Sequence, residues 1–156
     1  MTELEKQGAL AKEALIKLSV AKTNIKNEAL KAIGEEILLR QNEWLDANKI
    51  DIENAKANGM RESMLDRLTL TEDRVKGIVK GIDEIIALPD PVGNVLKTDV
   101  RPNGLKINRV SVPLGVIAII YEARPNVTVD AAVLTLKSGN AVILRGGKEA
   151  IILIRP

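Results

Sequence analysis

The chain has 156 residues, a formal net charge of +2, and interleaved Lys, Arg, Asp and Glu that make up 28% of it. With 46% apolar residues it has the composition of a globular domain, and the absence of a basic stripe gives nucleic-acid binding no electrostatic support. It contains no Cys and no His, which removes disulfides, thiolate nucleophiles, imidazole bases and the usual transition-metal ligands.

Aromatic residues are almost absent, Trp44 and Tyr121 being the two, so the core must be built from Ile, Leu, Val and Ala. The opening MTELEKQGAL lacks the basic and apolar regions of a secretory signal. No apolar run has the length of a membrane span, and the expected location is cytoplasmic.

Residues 1–90 read as helices. Thr2 and Glu5 have capping-box spacing, and Leu4, Ala11, Leu15 and Leu18 follow on one face. A second helix is expected to carry Leu30, Ile33, Ile37 and then Trp44, and a third to run from about Asp46 to a left-handed cap at Gly59. The clearest helix starts at a Thr71 cap with Glu72 and Asp73 in its first turn. It carries Val75, Ile78, Val79, Ile82, Ile85 and Ile86 as a stripe, and Pro89 and Pro91 stop it.

Residues 91–113 change period. Pro102-Asn103-Gly104 is a turn tripeptide between two β-branched runs, which predicts an antiparallel hairpin. Leu105 and Ile107 are expected to point inward, with a bulge or bend near Asn108-Arg109 where the phase reverses.

Residues 114–150 read as a strand–helix–strand unit, so the fold class is α/β. Val116–Ile120 is continuously apolar, as in a strand buried on both faces. Val129, Ala132, Val133 and Leu136 then share a helical face that ends at Gly139, and AVILRGG supplies the second strand.

Ligands of open α/β sheets bind beyond the carboxyl ends of the strands, which selects two loops. Tyr121-Glu122-Ala123-Arg124-Pro125-Asn126 leads into a helix, and Asn126 is either its N-cap or an amide donor for a developing oxyanion. Arg145-Gly146-Gly147-Lys148 is either a polar turn or a nucleotide contact, and neither a G-x-G-x-x-G fingerprint nor a P-loop is present.

VPLGVIAIIYEARPNVTVDAAVLTLKSGNAVILRGGKEA, with ANGMRESMLDRLTLTEDRV and ALPDPVG before it, closely resembles the γ-glutamyl phosphate reductase (glutamate-5-semialdehyde dehydrogenase) family. That family is a branch of the aldehyde dehydrogenase superfamily. The resemblance runs from the first helix to Ala150 and covers the N-terminal portion of the family's cofactor domain. It implies reduction of L-glutamyl 5-phosphate by NADPH to L-glutamate 5-semialdehyde, NADP and phosphate, through a Cys thioester.

Asn126 matches the family's oxyanion donor. Ala123, Arg124 and Pro125 match the strand-end segment along the cofactor, and Arg145, Gly146 and Gly147 match the segment beside the adenosine ribose. Lys148, which the resemblance does not assign, is expected to reach the 2′-phosphate of NADPH.

The family's nucleophilic Cys lies far downstream, with the catalytic domain, and has no counterpart in these 156 residues. Residues 151–156, IILIRP, depart from the family's polar helix and read as an aberrant tail. The chain alone is therefore expected to be inactive. The alternative is a non-catalytic remnant or interaction module with at most weak nucleotide binding, which self-associates or pairs with a complementary fragment. Neither reading involves a membrane or a metal.

Overall fold

A computed structural model of the chain describes residues 2–122 and 124–147. The expectations placed on Ala123, Lys148 and the 151–156 tail lie outside the described residues. Six helices and four strands follow in the order α1 (Glu3–Leu18), α2 (Thr23–Leu39), α3 (Gln41–Ala57), α4 (Glu62–Leu68), α5 (Glu72–Ala87), β1 (Val95–Val100), β2 (Lys106–Val110), β3 (Val116–Ile120), α6 (Pro125–Lys137) and β4 (Ala141–Arg145). The class is mixed α/β, and among the described residues no helix is long and apolar enough to cross a membrane.

The caps form where the sequence signals them. Thr2 Oγ1 accepts from the Glu5 amide at 3.3 Å, and Glu5 Oε2 accepts from the Thr2 amide at 2.7 Å. Thr71 Oγ1 accepts from the Arg74 amide at 3.2 Å and starts α5. Gly59 and Gly104 take φ of +73° and +85°, as the expected cap and turn require.

One helical boundary differs from expectation. Trp44 lies on α3, which begins at Gln41, so the chain breaks after Leu39 and not beyond Trp44. Arg40 is both the last cap of α2 and the first of α3: its amide donates to Glu36 O, and its carbonyl accepts from the Trp44 amide. No Gly or Pro marks this break, and the apolar period runs through it. Seven-residue α4 is too short to show a period of its own.

The core joins α2, α5 and α6. Leu30 and Ile37 meet Val75, Ile78 and Ile82 of the expected α5 stripe, with Val129 and Val133 of α6. Each such side chain stabilises the fold by about 1.5–3 kcal/mol through burial. A polar lock closes the same packing. Lys26, 2% exposed, places Nζ 2.6 Å from Asp90 Oδ2, and Asp90 also accepts from Thr23 Oγ1 at 2.7 Å and from the Val92 amide at 3.0 Å. The loop after α5 is thereby fastened to the first turn of α2.

β1 and β2 pair antiparallel, but every residue of both is exposed. The inward alternation expected of Leu105 and Ile107 does not occur, because the hairpin stands off the helical body and no described residue covers either face. The extra residue of the ladder is Leu96 on β1, opposite Arg109–Val110, so the bulge sits at the expected level but on the partner strand.

β3 and β4 pair in parallel, from Val116↔Ala141 to Ile120↔Arg145. β3 alternates, with Ile117 and Ile119 half-buried and Val116, Ala118 and Ile120 exposed, rather than buried on both faces. Among the described residues β4 is its single neighbour, and one of its faces is uncovered.

Candidate functional site

The carboxyl end of β3 turns directly into α6. The Tyr121 amide donates to Arg145 O at 3.1 Å, extending the β3–β4 ladder by a residue. The Tyr121 hydroxyl meets Thr128 Oγ1 at 2.7 Å, which ties the strand end to the first turns of the helix. Pro125 occupies the first helical position, where its missing N–H costs nothing, and it is buried.

Asn126 is therefore the second residue inside α6. The cap is Arg124, which makes no side-chain cap bond, so the capping reading of Asn126 is corrected by the backbone. With no capping duty the Asn126 side chain is exposed, and its Nδ2 donates to Asp130 Oδ2 at 3.3 Å. An amide nitrogen has two hydrogens, so one remains for a ligand.

Asn126 opens on a cleft of about 480 Å³ between α6 and the α4–α5 segment. Arg124, Pro125 and Asp130 line it from the α6 side, and Asp66, Arg67, Thr69 and Arg74 from the other. Arg74 is committed: its guanidinium donates to the carbonyls of Asp66 and Thr69 and to Asp66 Oδ1. Burial pushes the Asp130 carboxyl above its ordinary range, and the hydrogen bond from Asn126 partly offsets this. Arg67 and Arg124 are exposed and have no side-chain partner among the described residues.

The far wall is held by a polar residue on α3. Asn48, 1% exposed, donates Nδ2 to Leu68 O at 2.9 Å and accepts from the Leu70 amide at 2.6 Å. One side chain thus satisfies both backbone groups where α4 ends and turns toward α5.

Of the sequence-expected residues, Arg124, Pro125 and Asn126 come together in this cleft. Arg145 ends β4 beside Tyr121, Gly146 and Gly147 follow it, and all three lie outside the cleft. Sequence reasoning missed Asp130, Arg67 and Asn48. Asp130 carried a signal, since it sits one helical turn after Asn126. Among the described residues no group of three or more His, Cys, Asp or Glu side chains gathers as a metal centre would.

A helical lead-in, a detached hairpin and one parallel strand–helix–strand unit define the opening portion of an α/β fold, with its candidate site at the carboxyl ends of the strands. No family model matches the sequence. Individual proteins do: gamma-glutamyl phosphate reductase of Clostridium novyi is 54% identical over 143 residues, 92% of this chain and 34% of its own length. The Clostridium tetani protein of the same name is 56% identical over 145 residues, 93% of this chain and 34% of its own length.

The crystal structure of gamma-glutamyl phosphate reductase from Thermotoga maritima superimposes with a TM-score of 0.95 at 46% identity, covering 97% of this chain and 37% of that one. The structure from Saccharomyces cerevisiae gives 0.95 at 33% identity, covering 99% and 40%. In sequence and fold the chain matches the N-terminal portion of gamma-glutamyl phosphate reductase. It spans about a third of the length of the curated relatives it matches.

Proposed function

We propose that this chain is the N-terminal, cofactor-side portion of an NADP-dependent reductase of L-glutamyl 5-phosphate, an oxidoreductase of proline biosynthesis. The observation that carries this reading is the placement of Asn126. Its side-chain amide opens on a cleft at the carboxyl end of β3 and is free of capping duty. The names of relatives at 54% identity supply the reaction class.

In such a reaction a nucleophile attacks the acyl carbon, and the carbonyl electron pair moves onto oxygen. Phosphate leaves with its bonding pair as the carbonyl re-forms. Hydride addition then places negative charge on the same oxygen a second time, before collapse to the aldehyde. The remaining Asn126 N–H, held by the Asp130 contact and the rigid start of α6, is a preorganised donor for that oxygen in both steps.

NADPH supplies the hydride. Arg124 and Pro125 at the start of α6, with Arg145 at the end of β4 and Gly146 and Gly147 after it, are the residues offered to it. An exposed guanidinium followed by two glycines suits a ribose or phosphate at close backbone approach. Ala123 and Lys148 belong to the same reading by their place in the sequence.

The nucleophile must come from outside these 156 residues, which contain no Cys. The test is NADPH consumption with L-glutamyl 5-phosphate. The chain alone should show none, and the chain mixed with the complementary part of a relative should restore it. Turnover by the chain alone overturns the reading.

The hairpin favours a second reading, that of an association module. Leu96, Val100, Leu105, Val112 and Leu114 are all more than half exposed. Exposed apolar side chains gathered along one hairpin and the segment after it mark an interaction surface. A two-stranded hairpin is marginal by itself, and a partner chain or a second copy would stabilise it. A strictly monomeric chain in sedimentation equilibrium excludes self-association.

A further inference from the structure

We propose that Arg67 binds the α-carboxylate of the glutamyl substrate, and so selects an α-amino acid over a simple acyl phosphate. This rests on the reductase reading above and assigns the end of the substrate remote from the reacting carbon.

The cleft holds three guanidinium groups, and they are not equivalent. Arg74 is consumed within the protein by Asp66 and two carbonyls. Arg124 precedes Asn126 by two residues on the α6 wall, within the segment offered to the cofactor. Arg67 comes from α4, a different element, and lines the same cleft with no partner among the described residues.

The carboxylates are also accounted for. Asp66 accepts from Arg74, and Asp130 accepts from Asn126, so neither neutralises Arg67. The α-carboxylate of the substrate is separated from the acyl carbon by two methylenes and the α-carbon, so it calls for a cation on a support other than the α6 turn that carries Asn126. Arg67 meets that requirement.

The backbone beneath Arg67 is fixed. Leu68, the next residue, is fully buried, and its carbonyl is the one that Asn48 holds at 2.9 Å. The guanidinium fork is thus presented from an anchored helix end and suits bidentate capture of a carboxylate.

The experiment is calorimetric titration of the chain with L-glutamate and with 4-aminobutyrate, which is the same molecule without the α-carboxylate. Arg67→Ala should weaken L-glutamate binding about tenfold, the loss of one charge-assisted contact, and leave 4-aminobutyrate unchanged. Arg67→Lys should fall between, keeping the charge without the fork. Arg61→Ala, at an exposed arginine outside the cleft, is the control and should match the parent; circular dichroism confirms that each variant folds.

Equal weakening of both ligands by Arg67→Ala, or of neither, overturns the proposal. So does failure of the parent chain to bind L-glutamate. NADPH titrated against the same samples separates the two levels of inference. If NADPH binds and L-glutamate is insensitive to Arg67, this assignment alone falls; if neither NADPH nor L-glutamate binds, the reductase reading falls with it.

Discussion

Asn126 and Asp130 lie one turn apart on α6, joined by an amide-to-carboxylate hydrogen bond of 3.3 Å. The contact fixes the Asn126 side chain while using one of its two donors, which is the arrangement a preorganised oxyanion site needs. It also keeps a carboxylate beside the proposed oxyanion donor, and that carboxylate has a measurable signature.

Burial raises the Asp130 carboxyl above its ordinary value of 3.8, although the Asn126 hydrogen bond works in the opposite direction. A raised folded-state value favours the native state fully below the unfolded value. That advantage is lost as pH rises through the folded value. Asp130→Asn should therefore be no more stable than the parent below pH 3.8, and more stable above the folded value. Urea denaturation across that pH range measures the difference.

Asp90 behaves in the opposite sense. Burial pushes its carboxyl up, but hydrogen bonds from Lys26, the Val92 amide and Thr23, together with the Lys26 charge, outweigh this and lower it below 3.8. Its contribution to stability is present above pH 3.8 and disappears as pH falls through the lower folded value. Lys26→Met removes the countercharge of a buried pair and should cost about 3 kcal/mol at neutral pH. Denaturation midpoints at pH 7 and in acid check both statements.

Asn48→Leu should cost about 2–4 kcal/mol, because it leaves the Leu68 carbonyl and the Leu70 amide buried without partners. The damage should extend to the cleft, since these groups hold the wall that carries Arg67 and Thr69. Amide hydrogen exchange should quicken at Leu70 before it does in the α2–α5 core.

Gly139→Ala tests the turn between α6 and β4. Gly139 has φ of +72°, and an added Cβ would lie 3.0 Å from Pro113 Cγ. The left-handed backbone alone costs roughly 1–2 kcal/mol for a residue with a Cβ. Thermal unfolding should register at least that loss.

The sequence disclosed the features that depend on local chemistry. Thr2, Thr71 and Gly59 cap helices because their spacing and backbone freedom act within one or two turns. The α5 stripe and the strand–helix–strand order likewise follow from period alone. Features that depend on what surrounds an element were not legible. Leu105 and Ile107 alternate correctly for a covered sheet, but alternation cannot say whether anything covers it. Val116–Ile120 reads as doubly buried, yet one face is uncovered among the described residues.

The candidate site divides in the same way. Asn126 was legible as a candidate because a proline and a helix start fix it, although that it is not the cap needed the backbone position of Arg124. Arg67 was invisible, because its relation to Asn126 spans fifty-nine residues and exists in the fold alone.

The most direct measurement is NADPH consumption with L-glutamyl 5-phosphate by this chain assembled with the complementary part of a relative, comparing the parent with Asn126→Ala. Losing one oxyanion donor should lower kcat about 100- to 1000-fold with little change in KM or in stability, since the side chain is exposed. An Asn126→Ala assembly that turns over at the parent rate would contradict the account.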